Sequence, residues 1–218
     1  MAEGEKRAPQ LIKRGSEKYM YHIKGLAPVI EDPRVGIFGF SYFTSTRGAD
    51  HLKAFPSTYE ELVGQDIKQK EMGPRVKHNE DKNAMIDSVG MCKFSFRDID
   101  EVDPYQQLAK LLSAATGVDF DVDELLEIGE RIYNVEKAFN SREGLTRKDD
   151  SYSVPEMIFE PIPEGPSKGA VQELDIKLDG YYEARGWDKK TGLQTRQKLE
   201  QLKLEQVAAE LEKFNAIK

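Results

Sequence analysis

The segment 87–92 (DSVGMC) holds the only cysteine of the chain, Cys92, five positions after a carboxylate, Asp87. Gly90 can adopt a positive φ, which predicts a helix end there and leaves the amides of Met91 and Cys92 free. A carboxylate accepts paired N–H groups from a planar heterocycle, and a thiolate is a ligand for soft metal centres. One thiol completes neither a structural metal site nor an internal disulfide. By residue type alone, the segment fits either one edge of a shared cofactor site or a helix C-cap with a buried cysteine.

A second polar segment, 44–53 (TSTRGADHLK), combines a histidine with two cations around a glycine. His51 can transfer protons near neutral pH, and Arg47 or Lys53 can bind a phosphate or a carboxylate. A polar surface loop is the alternative interpretation. The three histidines of the chain lack metal-ligand spacing, and there is no CxxC, HExxH, glycine-rich phosphate loop or nucleophile elbow. The residues alone define no complete catalytic site.

Helix signals dominate the rest of the chain and predict how these two segments are held. The predicted helices span 2–14, 75–89, 104–116, 122–143, 172–185 and 195–214, and a capping box at 57–60 opens a further short helix. A short strand is predicted over 19–24. Glycine, proline and aromatic residues predict irregular structure over 26–46, and four prolines do so over 145–169. The sequence therefore predicts a mainly α fold, an irregular helical domain with long ordered loops.

Two helix starts carry the strongest local signals. Asp103 can cap a helix whose first residue is Pro104, and Asp121 opens the clearest helical pattern of the chain. Apolar residues at spacings of three and four predict that this second helix faces the core: Leu125, Ile128, Ile132, Val135 and Phe139.

Composition excludes several classes of function. The 218 residues are 39% hydrophobic and 33% charged, with a net charge of −7. A nucleic-acid-binding protein normally carries a basic stripe, so neither nucleic acid nor an anionic membrane is an expected partner. No apolar stretch approaches the roughly 20 residues that span a bilayer, and the charged N-terminus is not a secretory signal. A single cysteine favours a reducing, cytoplasmic setting.

Four stretches, in family order, resemble the C-terminal part of the aldehyde ferredoxin oxidoreductases, tungsten enzymes that carry a bis-pterin cofactor and a [4Fe–4S] cluster. The first stretch (23–34 with 42–53) is similar to K-G-L…D-P-R…Y-x-T-x-x-R-G-x-x-H, and the second (86–94) to D-S-x-G-L-C. The third comprises 129–140, 142–144 and 147–150, and the fourth comprises 163–169 and 181–187. Together they cover nearly the whole chain and are highly specific.

The resemblance implies a role for five residues. Cys92 is the fourth thiolate ligand of the [4Fe–4S] cluster and lies beside the pterin that links cluster and tungsten. Asp87 hydrogen-bonds the pterin ring, and Met91, where the family usually has leucine, contributes backbone contacts. His51 is the active-site histidine that manages protons near the metal, and Lys53 is a further cofactor contact.

The family oxidises an aldehyde to a carboxylate, and electrons leave through the cluster to ferredoxin. This chain lacks the family's N-terminal β-rich domain, its CxxCxxxC run and its first D-x-x-G-L-C/D motif. Residues 1–8 resemble an interior stretch, so we expect 1–25 to be the tail of the preceding, middle helical domain and 26–218 the C-terminal helical domain. Both the cluster and the tungsten (or molybdenum) bis-pterin then require an N-terminal half or companion subunit, and the chain alone is inactive.

Two alternatives remain open at this stage. The chain could be a non-catalytic remnant or binding module of the same fold, which predicts an inert, fully buried thiol. It could also belong to a related benzoyl-CoA or carboxylate reductase. The leading interpretation, a portion of a split or truncated enzyme, predicts exposed apolar surface around 26–55 and near Cys92.

Overall fold

The structure is a computed structural model that describes residues 4–29, 32–56, 67–96, 103–151 and 155–218. The α-helices in these residues are α1 (Ala8–Ile12), α2 (Gly36–Thr44), α3 (Gln69–Ser88), α4 (Pro104–Thr116), α5 (Val122–Arg142), α6 (Leu174–Arg185), α7 (Arg196–Gln201) and α8 (Glu205–Lys213). Short 3-10 helices occur at Ser16–Tyr19, Lys93–Phe96, Arg147–Asp150 and Glu156–Phe159. The described ranges contain two isolated bridges and no strand, so the mainly α prediction is confirmed.

The helices with the strongest local signals begin where the sequence predicts. The Asp103 carboxylate caps α4 by accepting hydrogen bonds from the backbone N–H groups of Tyr105 and Gln106. Gly117 ends α4 at φ 75°. Asp121 and Glu124 form a complete capping box at the start of α5. Thr195 caps α7 as predicted, although the predicted single helix is divided into α7 and α8 where Lys203 adopts φ 58°.

Several predictions about local structure are wrong. Instead of a strand over 19–24, a tight turn pairs Ile23 with Leu26. The predicted irregular stretch 26–46 contains α2, all nine residues of which are buried. The helix predicted over 2–14 is reduced to α1, while α3 begins at Gln69, and Pro74 in its second turn leaves the Lys70 carbonyl without the usual intrahelical N–H donor. The predicted capping box at 57–60 lies outside the described residues.

The predicted core stripe of α5 is only partly buried. Leu125 is buried, but Val135 and Phe139 are 47% and 58% exposed. The buried side of α5 instead carries Tyr133 and Ala138, which face α2 and the C-terminal helices. An exposed apolar edge therefore remains on a helix whose other side is packed.

Helix α3 lies at the centre of the fold and packs closely against α5 and α6. A Cβ at Gly73 would lie 2.3 Å from the backbone nitrogen of Tyr181 in α6. A Cβ at Gly129 of α5 would lie 2.0 Å from the backbone oxygen of Asp81. Since real Cβ atoms do not approach so closely, both glycines are required for this backbone packing.

Three apolar clusters surround α3 and α5. The largest joins the aromatic residues of α2 to Tyr181, Tyr182 and Trp187. A second packs the end of α3 against α4, and a third packs α5 against α7 and α8. These clusters fix both ends of α2 and the last turn of α3, where the two chemically interesting segments begin.

A buried ionic cluster ties α3 to α6. The fully buried guanidinium of Arg185 contacts Asp81 Oδ1 at 2.5 Å and Glu80 Oε2 at 2.7 Å. The Glu80 carboxylate also accepts hydrogen bonds from the Tyr181 hydroxyl (2.6 Å) and the Thr44 hydroxyl (2.7 Å). Burial raises the pKa of Tyr181 well above its usual value, so its hydroxyl stays protonated and donates.

In the described part of the chain, no helix combines the length and the apolar character needed to cross a membrane.

Candidate functional site

The Cys92 segment begins at a well-formed helix end. Gly90 adopts φ 72°, its N–H donates to Asp87 O, and the Met91 N–H donates to Ile86 O, which together form a Schellman motif at the end of α3. The prediction of a glycine terminator at Gly90 is confirmed. The expectation that the Met91 amide is free of helix bonding is wrong, because the Schellman motif uses it.

The side chains around Cys92 face outward. The Cys92 thiol is free and exposed, and its neighbours Met91 and Phe94 are 39% and 60% exposed. Lys93 Nζ forms an ion pair with Asp87, which leaves the Asp87 side chain close to half exposed. The segment therefore presents a sulfur, apolar surface and a charge-balanced carboxylate on one side of the molecule.

The loop that follows α2 holds His51. The His51 ring stands edge-on to the Phe38 ring, with 5.6 Å between ring centroids, and its Nδ1 is buried without a hydrogen-bond partner. Arg47 pairs with Asp50, and Asp50 Oδ1 accepts the Leu52 N–H at 2.8 Å. His51 Nδ1 is one of several buried side-chain atoms without a partner in the described residues, together with both nitrogens of His22, and it is available for contact with a bound group.

A run of aromatic rings joins the two segments. Phe38, which contacts His51, lies 5.6 Å from Phe55, and Phe55 lies 5.3 Å from Phe94, two residues after Cys92. Three successive ring contacts thus link His51 to the Cys92 segment, although the two are far apart in the sequence. These phenylalanines were missed by the sequence analysis because only tertiary packing reveals their role.

Lys53 is placed differently from the other predicted site residues. It is buried, and its Nζ lies 2.6 Å from both carboxylate oxygens of Glu136 in α5. The Lys53 charge is therefore balanced within the chain. Glu136 was not singled out from the sequence, although it lies inside the third stretch, 129–140, that carries the family resemblance.

Within the described residues, no group of three or more His, Cys, Asp or Glu side chains could hold a metal ion. A cluster with Cys92 as one ligand thus needs its other ligands from outside the described part of this chain. One observation favours Cys92 as a ligand of such a cluster, because its thiol is free and exposed.

The chain matches the family model described as "Aldehyde ferredoxin oxidoreductase, domains 2 & 3" over residues 1–204. It is 34% identical over 212 residues to the tungsten-containing aldehyde ferredoxin oxidoreductase of Thermococcus kodakarensis, and likewise to that of Pyrococcus furiosus. Each alignment covers 93% of this chain and 33% of the relative. The chain belongs to the aldehyde ferredoxin oxidoreductase family, and it spans about a third of the length of the curated relatives that it matches.

The fold is similar to a solved structure, the active site complex BamBC of benzoyl coenzyme A reductase in complex with 1,5-dienoyl-CoA. The TM-score is 0.72 at 19% sequence identity, and the match covers 97% of this chain and 37% of that one. The predicted family and helical fold are confirmed, and the match to a third of each relative identifies the chain as a C-terminal portion. The site residues and the boundary between 1–25 and 26–218 stay predictions.

Proposed function

We propose that this chain is the C-terminal portion of a tungsten-dependent aldehyde:ferredoxin oxidoreductase that acts in the cytoplasm. A tungsten (or molybdenum) bis-pterin and a [4Fe–4S] cluster lie between this chain and an N-terminal half or companion subunit. Aldehydes are the substrates, and ferredoxin accepts the electrons. The observation that carries the proposal is the exposed Cys92 thiol in a segment that ring contacts link to His51, in a chain of this family.

Cys92 supplies one thiolate to the cluster. A [4Fe–4S] cluster is typically held by four cysteine thiolates, and this chain contains one cysteine. The thiol is accessible without any movement of α3, and the exposed Met91 and Phe94 side chains provide an apolar surround that excludes water once the partner is bound.

Asp87 hydrogen-bonds the pterin, and His51 handles the protons of the reaction. The Asp87 carboxylate is accessible, and Lys93 offsets its charge, so it can accept N–H groups from a heterocycle. Oxidation of an aldehyde with one water to a carboxylate releases two electrons and three protons, and the metal cofactor supplies the two-electron step. His51 holds or passes a proton, since its Nδ1 has no hydrogen-bond partner among the described residues and Phe38 fixes its ring.

Exposed apolar side chains in the 26–55 region and beside Cys92 support a partner that covers them. Leu26, Leu52, Met91 and Phe94 are all more than a third exposed, in the two places where the sequence analysis expected uncovered surface. Burying them against the rest of the enzyme would remove apolar area from water, which favours association.

The two alternatives are less well supported. A remnant module predicts a fully buried thiol, whereas Cys92 is exposed. The similarity to the benzoyl coenzyme A reductase complex, at 19% identity, concerns the fold alone and does not favour reduction over oxidation. The 34% identity to tungsten-containing aldehyde ferredoxin oxidoreductases supports aldehyde oxidation.

Co-expression with an N-terminal half tests the proposal. The purified complex should contain tungsten and about four irons, and Cys92→Ser should lose most of the iron while still binding the companion half. Ser95→Ala, a nearby exposed residue, is the matched control and should keep the iron. A complex without tungsten or iron, or a Cys92→Ser complex with full iron content, would contradict the proposal.

A further inference from the structure

The loop that carries His51 is attached to α5 at both of its ends by one carboxylate. Glu136 accepts a hydrogen bond from the Thr46 hydroxyl at 2.6 Å. The same carboxylate accepts Lys53 Nζ at 2.6 Å on both oxygens. Thr46 precedes His51 by five residues and Lys53 follows it by two, so Glu136 joins the two ends of the loop.

Neighbouring residues of α5 reinforce the attachment. Tyr133, Glu136 and Asn140 are three and four residues apart, so they share one face of the helix. The Tyr133 hydroxyl donates to the Thr44 carbonyl at 3.2 Å, and Asn140 Nδ2 donates to the Thr46 carbonyl at 2.7 Å. These two bonds hold only the first end of the loop, whereas Glu136 also bonds the second end, where the Tyr133 ring centroid lies 5.9 Å from Lys53 Nζ.

Because Lys53 is buried, its ion pair with Glu136 is needed to hold its side chain in place. The Lys53 side chain is 5% exposed, while that of Glu136 is 35% exposed. A buried ammonium group needs an ionic partner, and in the described part of the chain Glu136 is the only carboxylate recorded within ion-pair distance of Lys53. Without that carboxylate, Lys53 would have to turn toward solvent, and the end of the loop nearest His51 would move with it.

We propose that Glu136 is a positioning residue that closes the loop 46–53 and thereby fixes the His51 ring against Phe38. Lys53 acts in this arrangement through Glu136. A catalytic effect of this attachment rests on the proposed function of His51, whereas the attachment of the loop to α5 does not depend on that function.

Hydrogen exchange and NMR on the full 218-residue chain test the attachment without any cofactor. Glu136→Ala should accelerate amide exchange in residues 47–52 by about tenfold, equivalent to about 1.4 kcal/mol of local opening, with no comparable change in α6. The His51 ring protons should lose the ring-current shift that the edge-on contact with Phe38 gives them. With three histidines in the chain, their resonances can be assigned by substitution.

Two further variants keep the test decisive. Glu127→Ala removes an exposed glutamate of the same helix and should leave loop exchange and the His51 resonance unchanged. Glu136→Gln keeps an acceptor for Thr46 but removes the charge, so it should loosen the same loop to a smaller extent; if Glu136→Ala does not fold, this variant carries the test. Unchanged loop exchange in Glu136→Gln and Glu136→Ala, or an equal increase throughout α3 and α6, would overturn the proposal.

Activity of the reassembled enzyme separates this inference from the proposed function. If the loop loosens and aldehyde oxidation falls, the attachment by Glu136 and the catalytic role of His51 both stand. If the loop loosens while turnover is unchanged, the attachment by Glu136 stands and the catalytic role of His51 fails.

Discussion

Two polar regions of this molecule, the Arg185 cluster and the region of His51 and Cys92, differ in whether their polar groups have partners within the chain. In the buried cluster around Arg185, each charged group has a partner within the chain: the guanidinium binds Glu80 and Asp81, and Tyr181 donates to Glu80. In the region of His51 and Cys92, His51 Nδ1 has no partner among the described residues and the Cys92 thiol is exposed. Both regions are built on or beside the same helix, α3.

The contrast indicates which region is complete. Native proteins leave few buried polar groups without partners, so a region with every group satisfied needs nothing from outside. An exposed thiol beside exposed aromatic and aliphatic side chains is instead a surface to be covered. The difference separates residues that hold the fold from residues that we propose to hold cofactors.

The largest expected effect comes from breaking the Arg185 cluster. Arg185→Met should lower the free energy of unfolding by about 3–5 kcal/mol, because it leaves the buried Glu80 carboxylate without a cation and leaves Asp81 with Lys77 alone. Urea unfolding would measure the change. Arg196→Met, which removes an exposed arginine paired with Glu200 and Glu212, is the control and should shift the midpoint little. Equal losses of unfolding free energy in Arg185→Met and Arg196→Met would mean that the buried Arg185 cluster contributes no more to stability than an exposed ion pair.

A smaller effect is expected at Lys177, a buried cation outside both regions. Its Nζ donates to Gln172 Oε1 at 2.6 Å, and no ion pair of Lys177 occurs among the described residues. Burial lowers the pKa of Lys177 from 10.5 to about 8. Between these pH values the unfolded chain binds more protons than the folded chain, so stability rises with pH across this window.

Replacing Lys177 should remove that pH dependence. Lys177→Met should be more stable than the natural chain at pH 7, by up to about 3 kcal/mol, and the difference should shrink as the pH rises from 8 to 10. Thermal unfolding at pH 7, 8, 9 and 10 would measure it, with Lys213→Met as an exposed control. A constant difference across the series would contradict the assigned cause.

The smallest effect on stability is expected at Cys92. Cys92→Ser should change the free energy of unfolding by less than about 0.5 kcal/mol, since exposed substitutions away from packed features have little effect. The same variant is expected to lose most of the iron in the assembled enzyme. A destabilisation comparable to that of Arg185→Met would show that the thiol is part of the core and would remove the contrast.

The parts of the fold that were predictable from the sequence have local causes. Asp103, Gly117 and Asp121 act within one or two turns of the chain, so their residue types alone indicate helix ends. Helix α2 gave no such signal: all nine residues are buried, hence no polar face marks a helical period, and its two glycines suggest a loop. Tertiary packing against α3 and α6 decides that segment.

The candidate site was predictable only in part for the same reason. The roles expected of five residues follow from the family resemblance, which compares residues along the chain: His51, Asp87, Met91, Lys53 and Cys92. The aromatic run through Phe55 and the Glu136 contact depend on how α2, α3 and α5 pack together. The exposure of Val135 and Phe139 likewise cannot be read from a helical period, because the period does not show whether the facing partner lies within the same chain.

Alkylation of the one cysteine tests the central claim most directly. In the isolated chain, iodoacetamide should add one label at Cys92, since the thiol is exposed. In the iron-containing complex with the companion half, mass spectrometry should find this cysteine unlabelled, and chelation of the iron should restore labelling. Equal labelling of Cys92 in the isolated chain and in the iron-containing complex would contradict its assignment as a cluster ligand.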